Sequence, residues 1–330
     1  QQYDTFLYSQ ILNFLSFKLK NNNLIMSNTN ENKVSNKKSN SKVSASNRKI
    51  SGKAERTGRG PSVMPVVPPE DTGGDGFPEI HPHLPQIAGP GGGALLLMIS
   101  PVRTGKSTII SNLLLGDSEM GFYDAQERFH STTIISNTIA NDVTSRFLAK
   151  AFDTHDSYND GIIDGIVSQQ KGYDKEEQPN IAVILDDCLG SIRREARINH
   201  LASRFRHFNI KLLIISSQNF RSCSCIIRQN ATNVIVGSPF PNQKELGKMA
   251  EEYGDVFGGA ENWLKIYKKA TPEKYCFLHM NFQSQPPEAY RCFEELIAVG
   301  ENIVGDVPEL SDEESEDLEL DDVKKKNSRI

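Results

Sequence analysis

The chain has 330 residues, 37% of them hydrophobic, and a formal net charge of −5. That is long enough to bury a substantial core as one large or two small domains, and the charge excludes a uniformly basic nucleic-acid coat. Five cysteines without framework spacing exclude a disulfide scaffold and point to reduced thiols in an intracellular protein, while no stretch approaches the ~18 apolar residues of a membrane span.

Residues 1–25 precede Met26 and are expected to lie upstream of the true start of the product; they lack the basic leader and small-residue cleavage site of a secretion signal. Nine Lys/Arg face a single Glu55 between Lys33 and Arg59, and a Pro/Gly-rich stretch follows to about residue 85. Residues 1–85 therefore read as a disordered, basic and then Pro/Gly-rich segment. Ten Asp/Glu without a basic residue between Asp306 and Asp322 make 296–330 an acidic disordered tail. The folded domain is expected at 86–295.

Within that domain, short apolar runs alternate with polar or amphipathic stretches of helix length. The spacing predicts strands at 94–99, 131–136, 181–186, 210–216 and 233–237, and helices at 106–115, 140–152, 192–208 and 242–253. Several strands are apolar at consecutive positions, as strands buried on both faces of a parallel sheet are. The alternation implies a doubly wound α/β core, with an antiparallel pair, 275–282 and 288–293, at one edge.

The first strand runs into "SPVRTGKST", residues 100–108. A phosphate-binding loop has the form G-x-x-x-x-G-K-[ST]; here Gly105, Lys106 and Ser107 are in place, while Ser100-Pro101 stands at the entry. By composition, Gly-Lys-Ser/Thr arises by chance in roughly one chain of this length in six, so the tripeptide decides little. The strand–loop–helix setting decides more, because it converges backbone N–H groups and a helix N-terminus on phosphate. Thr104, Gly105, Lys106, Ser107 and Thr108 are the candidate nucleotide-binding residues, with Lys106 on the β/γ-phosphates and Ser107 on Mg²⁺.

Two further motifs follow. "IAVILDDCLG" (181–190) brings Asp186 and Asp187 to the carboxyl end of an apolar strand, where open α/β sheets place ligands. Asp186 is the candidate Mg²⁺ acid and Asp187 the candidate group that polarises an attacking water; a helix N-cap is the alternative use of such a pair. "LLIISSQN" (212–219) ends in Ser216, Ser217 and Gln218, expected between the first two motifs in the sheet, where Gln218 would sense the γ-phosphate or orient water, or else belong to an ordinary polar loop after the strand. Arg228 is either a surface charge or an arginine finger reaching a neighbouring subunit's nucleotide.

In this order, "TGKST" (104–108), "VILDD" (183–187) and the block 204–237, with Arg206-His207, Gln218, Arg228 and Asn230, resemble the FtsK–HerA superfamily of DNA-pumping ATPases. The likeness is greatest to the DNA-packaging ATPases of poxviruses, other large DNA viruses, virophages and Polinton-like elements. It covers roughly residues 90–240, and Ser100-Pro101 departs from the family pattern. The resemblance implies a RecA-like P-loop core of the additional-strand type. It also implies ATP and Mg²⁺ as ligands, double-stranded DNA as partner, and a homo-oligomeric ring (hexamer or pentamer) that hydrolyses ATP at subunit interfaces. Arg228, or else Arg206, would then act in trans. Capsid or portal-vertex proteins and a location at intracellular virus assembly sites, cytoplasmic or nuclear, or in the virion follow from the same likeness. Segment 168–178, with Lys171 and Tyr173, is either a pore loop or an ordinary surface loop. The alternatives are a cellular translocase or helicase of that superfamily and a non-catalytic, nucleotide-binding virion scaffold.

Overall fold

The computed structural model describes residues 79–88, 92–139, 145–191 and 196–306. The basic stretch, most of the Pro/Gly-rich segment and most of the acidic tail lie outside them. In chain order the described elements are β1 (Ala94–Ile99), α1 (Lys106–Leu115), α2 (Ala125–Arg128), β2 (Ser131–Ser136), α3 (Ser145–Ala151), β3 (Asp153–His155), α4 (Asp160–Lys171) and β4 (Ile181–Asp186). There follow α5 (Arg197–Ala202), β5 (Ile210–Ser217), α6 (Cys225–Asn230), β6 (Asn233–Gly237), α7 (Gln243–Tyr253), α8 (Ala260–Ala270), β7 (Phe277–Asn281), β8 (Glu288–Arg291), β9 (Glu295–Val299) and β10 (Asn302–Ile303).

All ten strands form one sheet in the order β10-β9-β8-β7-β6-β1-β5-β4-β2-β3. From β6 to β3 every pairing is parallel, and from β6 outward to β10 every pairing is antiparallel. The chain thus has a mostly parallel α/β fold with an antiparallel wing. Because successive side chains of a strand point to opposite faces, β1 supplies both cores. Leu95, Leu97 and Ile99 join the cluster that includes Ile198, Leu201, Trp263 and Ile266. Ala94, Leu96 and Met98 join the one that includes Ile110, Leu113 and Leu114 of α1. Two-sided burial explains the near-continuous apolar runs of β1 and β4, buried at all six positions.

The packed residues extend past the expected limits of 86 and 295. Ile80, Leu84 and Ile87 are buried in the α1-side core, and the Tyr123 hydroxyl donates to Pro85 O at 2.7 Å. Gln86 and Gln283 exchange hydrogen bonds at 2.9 and 2.8 Å. At the other end β9 and β10 continue the sheet to residue 303. The helix expected over 192–208 is shorter, ending at Ala202, with a 3₁₀ turn over Phe205–Phe208 before β5; of its range, 192–195 lies outside the described residues, as does 140–144 of the helix expected over 140–152.

Candidate nucleotide site

The register of the parallel strands assembles the site. Ser136 of β2 pairs with Asp186 of β4, Leu185 pairs with Ile215 of β5, and Met98 of β1 pairs with Ser216. The carboxyl ends of four neighbouring strands therefore present Ser136, Asp186, Ser216 and the start of the 100–108 loop in one row. β5 stands between β1 and β4, as expected of the strand that carries Gln218.

The loop wraps its own lysine. Lys106 is 9% exposed, and its Nζ donates to Ser100 O at 2.6 Å and Pro101 O at 3.1 Å. Thr104 Oγ1 donates to Pro101 O at 2.6 Å and also pairs with Ser100 Oγ. Gly105 takes φ 94°, the left-handed conformation glycine adopts freely, and turns the chain into α1. No side chain caps that helix and no acidic residue lies in its first turn. Its leading N–H groups and the positive end of its dipole are thus free to receive an anion.

Ser100 occupies the entry position where the loop pattern has glycine, and the fold supplies the missing space from another strand. Gly237 ends β6, and a Cβ built there would stand 1.8 Å from Ser100 Oγ and 2.7 Å from Ser100 Cβ. The serine side chain fits because its neighbour has none. The departure at the loop entry is a packing arrangement with β6.

Opposite the lysine lie the two carboxylates. Asp186 is 6% exposed; its Oδ1 accepts from Ser216 Oγ, and its Oδ2 accepts from Ser136 Oγ at 3.3 Å. Ser216 Oγ also accepts from the Asp187 backbone N–H at 3.1 Å. Asp187 takes φ 55°, which turns its carboxylate to accept from Gln218 Nε2. Burial raises the Asp186 carboxyl above its usual pKa, with hydrogen bonds from Ser216 and then the Lys106 charge pulling the other way. Burial lowers Lys106, against the pull of Asp187 and Asp186. The charges of Lys106 and the two carboxylates thus feel one another.

The fold brings Lys106, Asp186, Asp187 and Gln218 together, and Gly105, Ser107 and Thr108 frame the same helix start. It does not bring Arg228 to them. That guanidinium pairs with Glu252 at 2.8 Å, donates to Cys223 O at 2.8 Å and lies 4.6 Å from the Phe220 ring centroid. Arg206 is exposed beside Phe205, in the turn that feeds the amino end of β5, so it sits at the amino ends of the parallel strands, opposite the loop. Segment 168–178 divides between the last turn of α4 and a turn before β4, at the same amino ends.

Ser136, Gly237 and the role of Ser216 as a bridge between the two aspartates were not read from sequence. The one signal for Ser136 was its place as the polar end of a buried strand. Asp186 and Ser107 carry only oxygen ligands, Asp186 at the end of β4 and Ser107 in the first turn of α1. They suit Mg²⁺, which binds through one or two protein oxygens together with phosphate and water, and a cation there would offset the cost of the buried Asp186 charge.

No family model matches the sequence, and no curated protein matches it. Among solved structures, the chain is similar to B204, the DNA-packaging ATPase from Sulfolobus Turreted Icosahedral Virus, at 18% identity over 60% of this chain and 96% of that one, with a TM-score of 0.45. The genome packaging NTPase B204 from Sulfolobus turreted icosahedral virus 2 in complex with ATP-gammaS shares 16% identity over 60% of this chain and 96% of that one, with a TM-score of 0.43. EssC (ATPases 2 and 3) from Geobacillus thermodenitrificans shares 15% over 72% of this chain and 45% of that one, with a TM-score of 0.38.

Proposed function

We propose that this chain binds ATP at the 100–108 loop, hydrolyses it, and uses the cycle to drive double-stranded DNA into a viral capsid as a ring of identical subunits. One observation carries the enzymatic part: a buried lysine, two aspartates and a glutamine converge at the carboxyl ends of β1, β4 and β5, beside an uncapped helix start. Triphosphate oxygens would take over the Lys106 hydrogen bonds now made to the Ser100 and Pro101 carbonyls. The leading N–H groups of α1 would receive the same phosphates. Ser107 and Asp186 would hold Mg²⁺, which supplies neutralisation of the β- and γ-phosphate charge.

Asp187, steered by Gln218, accepts a proton from the attacking water as its oxygen bonds to the γ-phosphorus. The bond to the bridging oxygen breaks, and Lys106 stabilises the charge that moves onto ADP. Arg228 would act in trans only after leaving Glu252, so subunit contact at the α6–α7 surface is the place for such an exchange. The DNA-packaging part rests on the ordered motifs from 104 to 237.

The test is steady-state ATP hydrolysis by the full chain with Mg²⁺, with and without duplex DNA. The reading expects DNA-stimulated turnover, reduced at least ~10²-fold in Lys106→Ala. Unchanged turnover in that variant removes Lys106 from the site. ATP binding without turnover, at protein concentrations that favour assembly, supports the non-catalytic scaffold.

A further inference from the structure

Tyr275 lies in the turn that joins α8 to β7, and it is 57% exposed. Its φ of 74° is a conformation that bulky side chains rarely take and that persists where the surroundings hold it, often at ligand clamps. The ring lies against the phosphate loop: a Cβ built on Gly105 would meet Tyr275 Cδ1 at 3.8 Å. Register explains the approach. Phe277 pairs with Gly237, the residue on which Ser100 packs, so the chain two residues earlier emerges at the flank of the loop. Lys274 Nζ stands 4.6 Å from the ring centroid, an exposed cation–π contact that a ligand can displace at little cost.

We propose that Tyr275 is the platform on which the base of the bound nucleotide stacks. The inference rests on the ATP reading above, since the loop holds the phosphates whose base the ring would meet. A phenol ring beside the loop offers a flat π surface to a heterocycle of any sequence. The loop then fixes the triphosphate and Tyr275 fixes the base, so affinity for ATP exceeds affinity for a bare polyphosphate through this one side chain.

The experiment measures binding of ATP and of inorganic tripolyphosphate, both with Mg²⁺, to the full chain and to Tyr275→Ala and Tyr275→Phe. The alanine variant is expected to bind ATP about 5-fold or more weakly and tripolyphosphate as the parent does; the phenylalanine variant keeps ATP affinity. Retained tripolyphosphate binding also shows that the alanine variant is folded. The assignment is overturned if Tyr275→Ala weakens both compounds equally, if it weakens neither, or if Tyr275→Phe behaves as the alanine variant does. A parent protein that binds neither compound overturns the phosphate-loop reading and this inference with it, an outcome distinct from the other three.

Discussion

Two buried polar clusters share one sheet and are built in opposite ways. At the carboxyl ends of β1, β5 and β4, Lys106 and Asp186 are both charged groups that burial disfavours, with Asp187 and Gln218 beside them. Across β6 and β7 the cluster is neutral. Thr232 Oγ1 donates to Asn233 Oδ1 at 2.9 Å, and Asn233 Nδ2 donates to Asn281 Oδ1 at 3.1 Å. The same Nδ2 lies 3.1 Å from His279 Nε2, which therefore accepts and leaves the ring proton on Nδ1. Burial pushes His279 down to about 3, so the imidazole stays uncharged. Buried charges cost stability that neutral, hydrogen-bonded groups of the same size do not. In the β6–β7 cluster the neutral His279 Nδ1–H stays buried without a hydrogen-bond partner among the described residues, a smaller cost than a buried charge, whereas the β1–β5–β4 cluster carries buried charges at the proposed nucleotide site.

Three substitutions separate the two clusters. Gly237 lies where the two halves of the sheet meet. Gly237→Ala places a methyl against Ser100 Oγ and is expected to lower stability by about 1–3 kcal/mol, read as a shift in denaturant midpoint. Adding Ser100→Gly should recover most of the loss. A stable single variant, or a double variant no better than it, would show that Ser100 does not rely on the space at Gly237.

His279 sets the second test. The unfolded imidazole takes up a proton below its ordinary 6.5, while the folded one does so only near 3. The unfolded chain binds more protons in that window, so stability falls as pH falls through it. Against His279→Gln, the parent should lose up to about 1 kcal/mol more per pH unit between about pH 6 and pH 4. ATP affinity at neutral pH should be the same in both proteins. Equal acid slopes would mean that the histidine is not held neutral.

The smallest effect has the opposite sign. Asp186→Asn removes a buried charge and keeps a hydrogen-bonding side chain. A gain of about 1 kcal/mol, or about 2–4 °C in Tm, is expected, together with loss of ATP turnover. Burial raises the folded carboxyl above 3.8, so the penalty is fully present above the folded pKa and gone below the unfolded one; the gain should shrink as pH falls. A lower Tm in Asp186→Asn would make the carboxylate a structural group and erase the contrast with β6–β7.

Much of this was legible in the chain. β1, β2, β4 and β6 occupy the runs 94–99, 131–136, 181–186 and 233–237 expected of them, and α1 spans the expected 106–115, because two-sided burial and the loop motif leave strong local patterns. α8 was also readable in principle: Trp263, Ile266, Tyr267 and Ala270 recur on one face and are buried. α4 was harder, since Gly161 and Gly165 dilute its helical pattern and Asn159 is its main start signal. The packing of 79–88 was hidden by its Pro-rich composition; it is held by apolar contacts with α1 and by Gln283, almost two hundred residues away.

The alternation of strands and helices, the lysine loop and the Asp-Asp strand end are legible in the chain because each is set by neighbours within a few residues. Beyond the place of β5 between β1 and β4, strand order and register emerge in the folded sheet. That placement put Ser136 and Ser216 on Asp186, matched Ser100 to Gly237, laid Tyr275 against Gly105 and tied Arg228 to Glu252. The physical reason is that such contacts depend on register and close packing between segments far apart in the chain, and no local pattern of side chains records them.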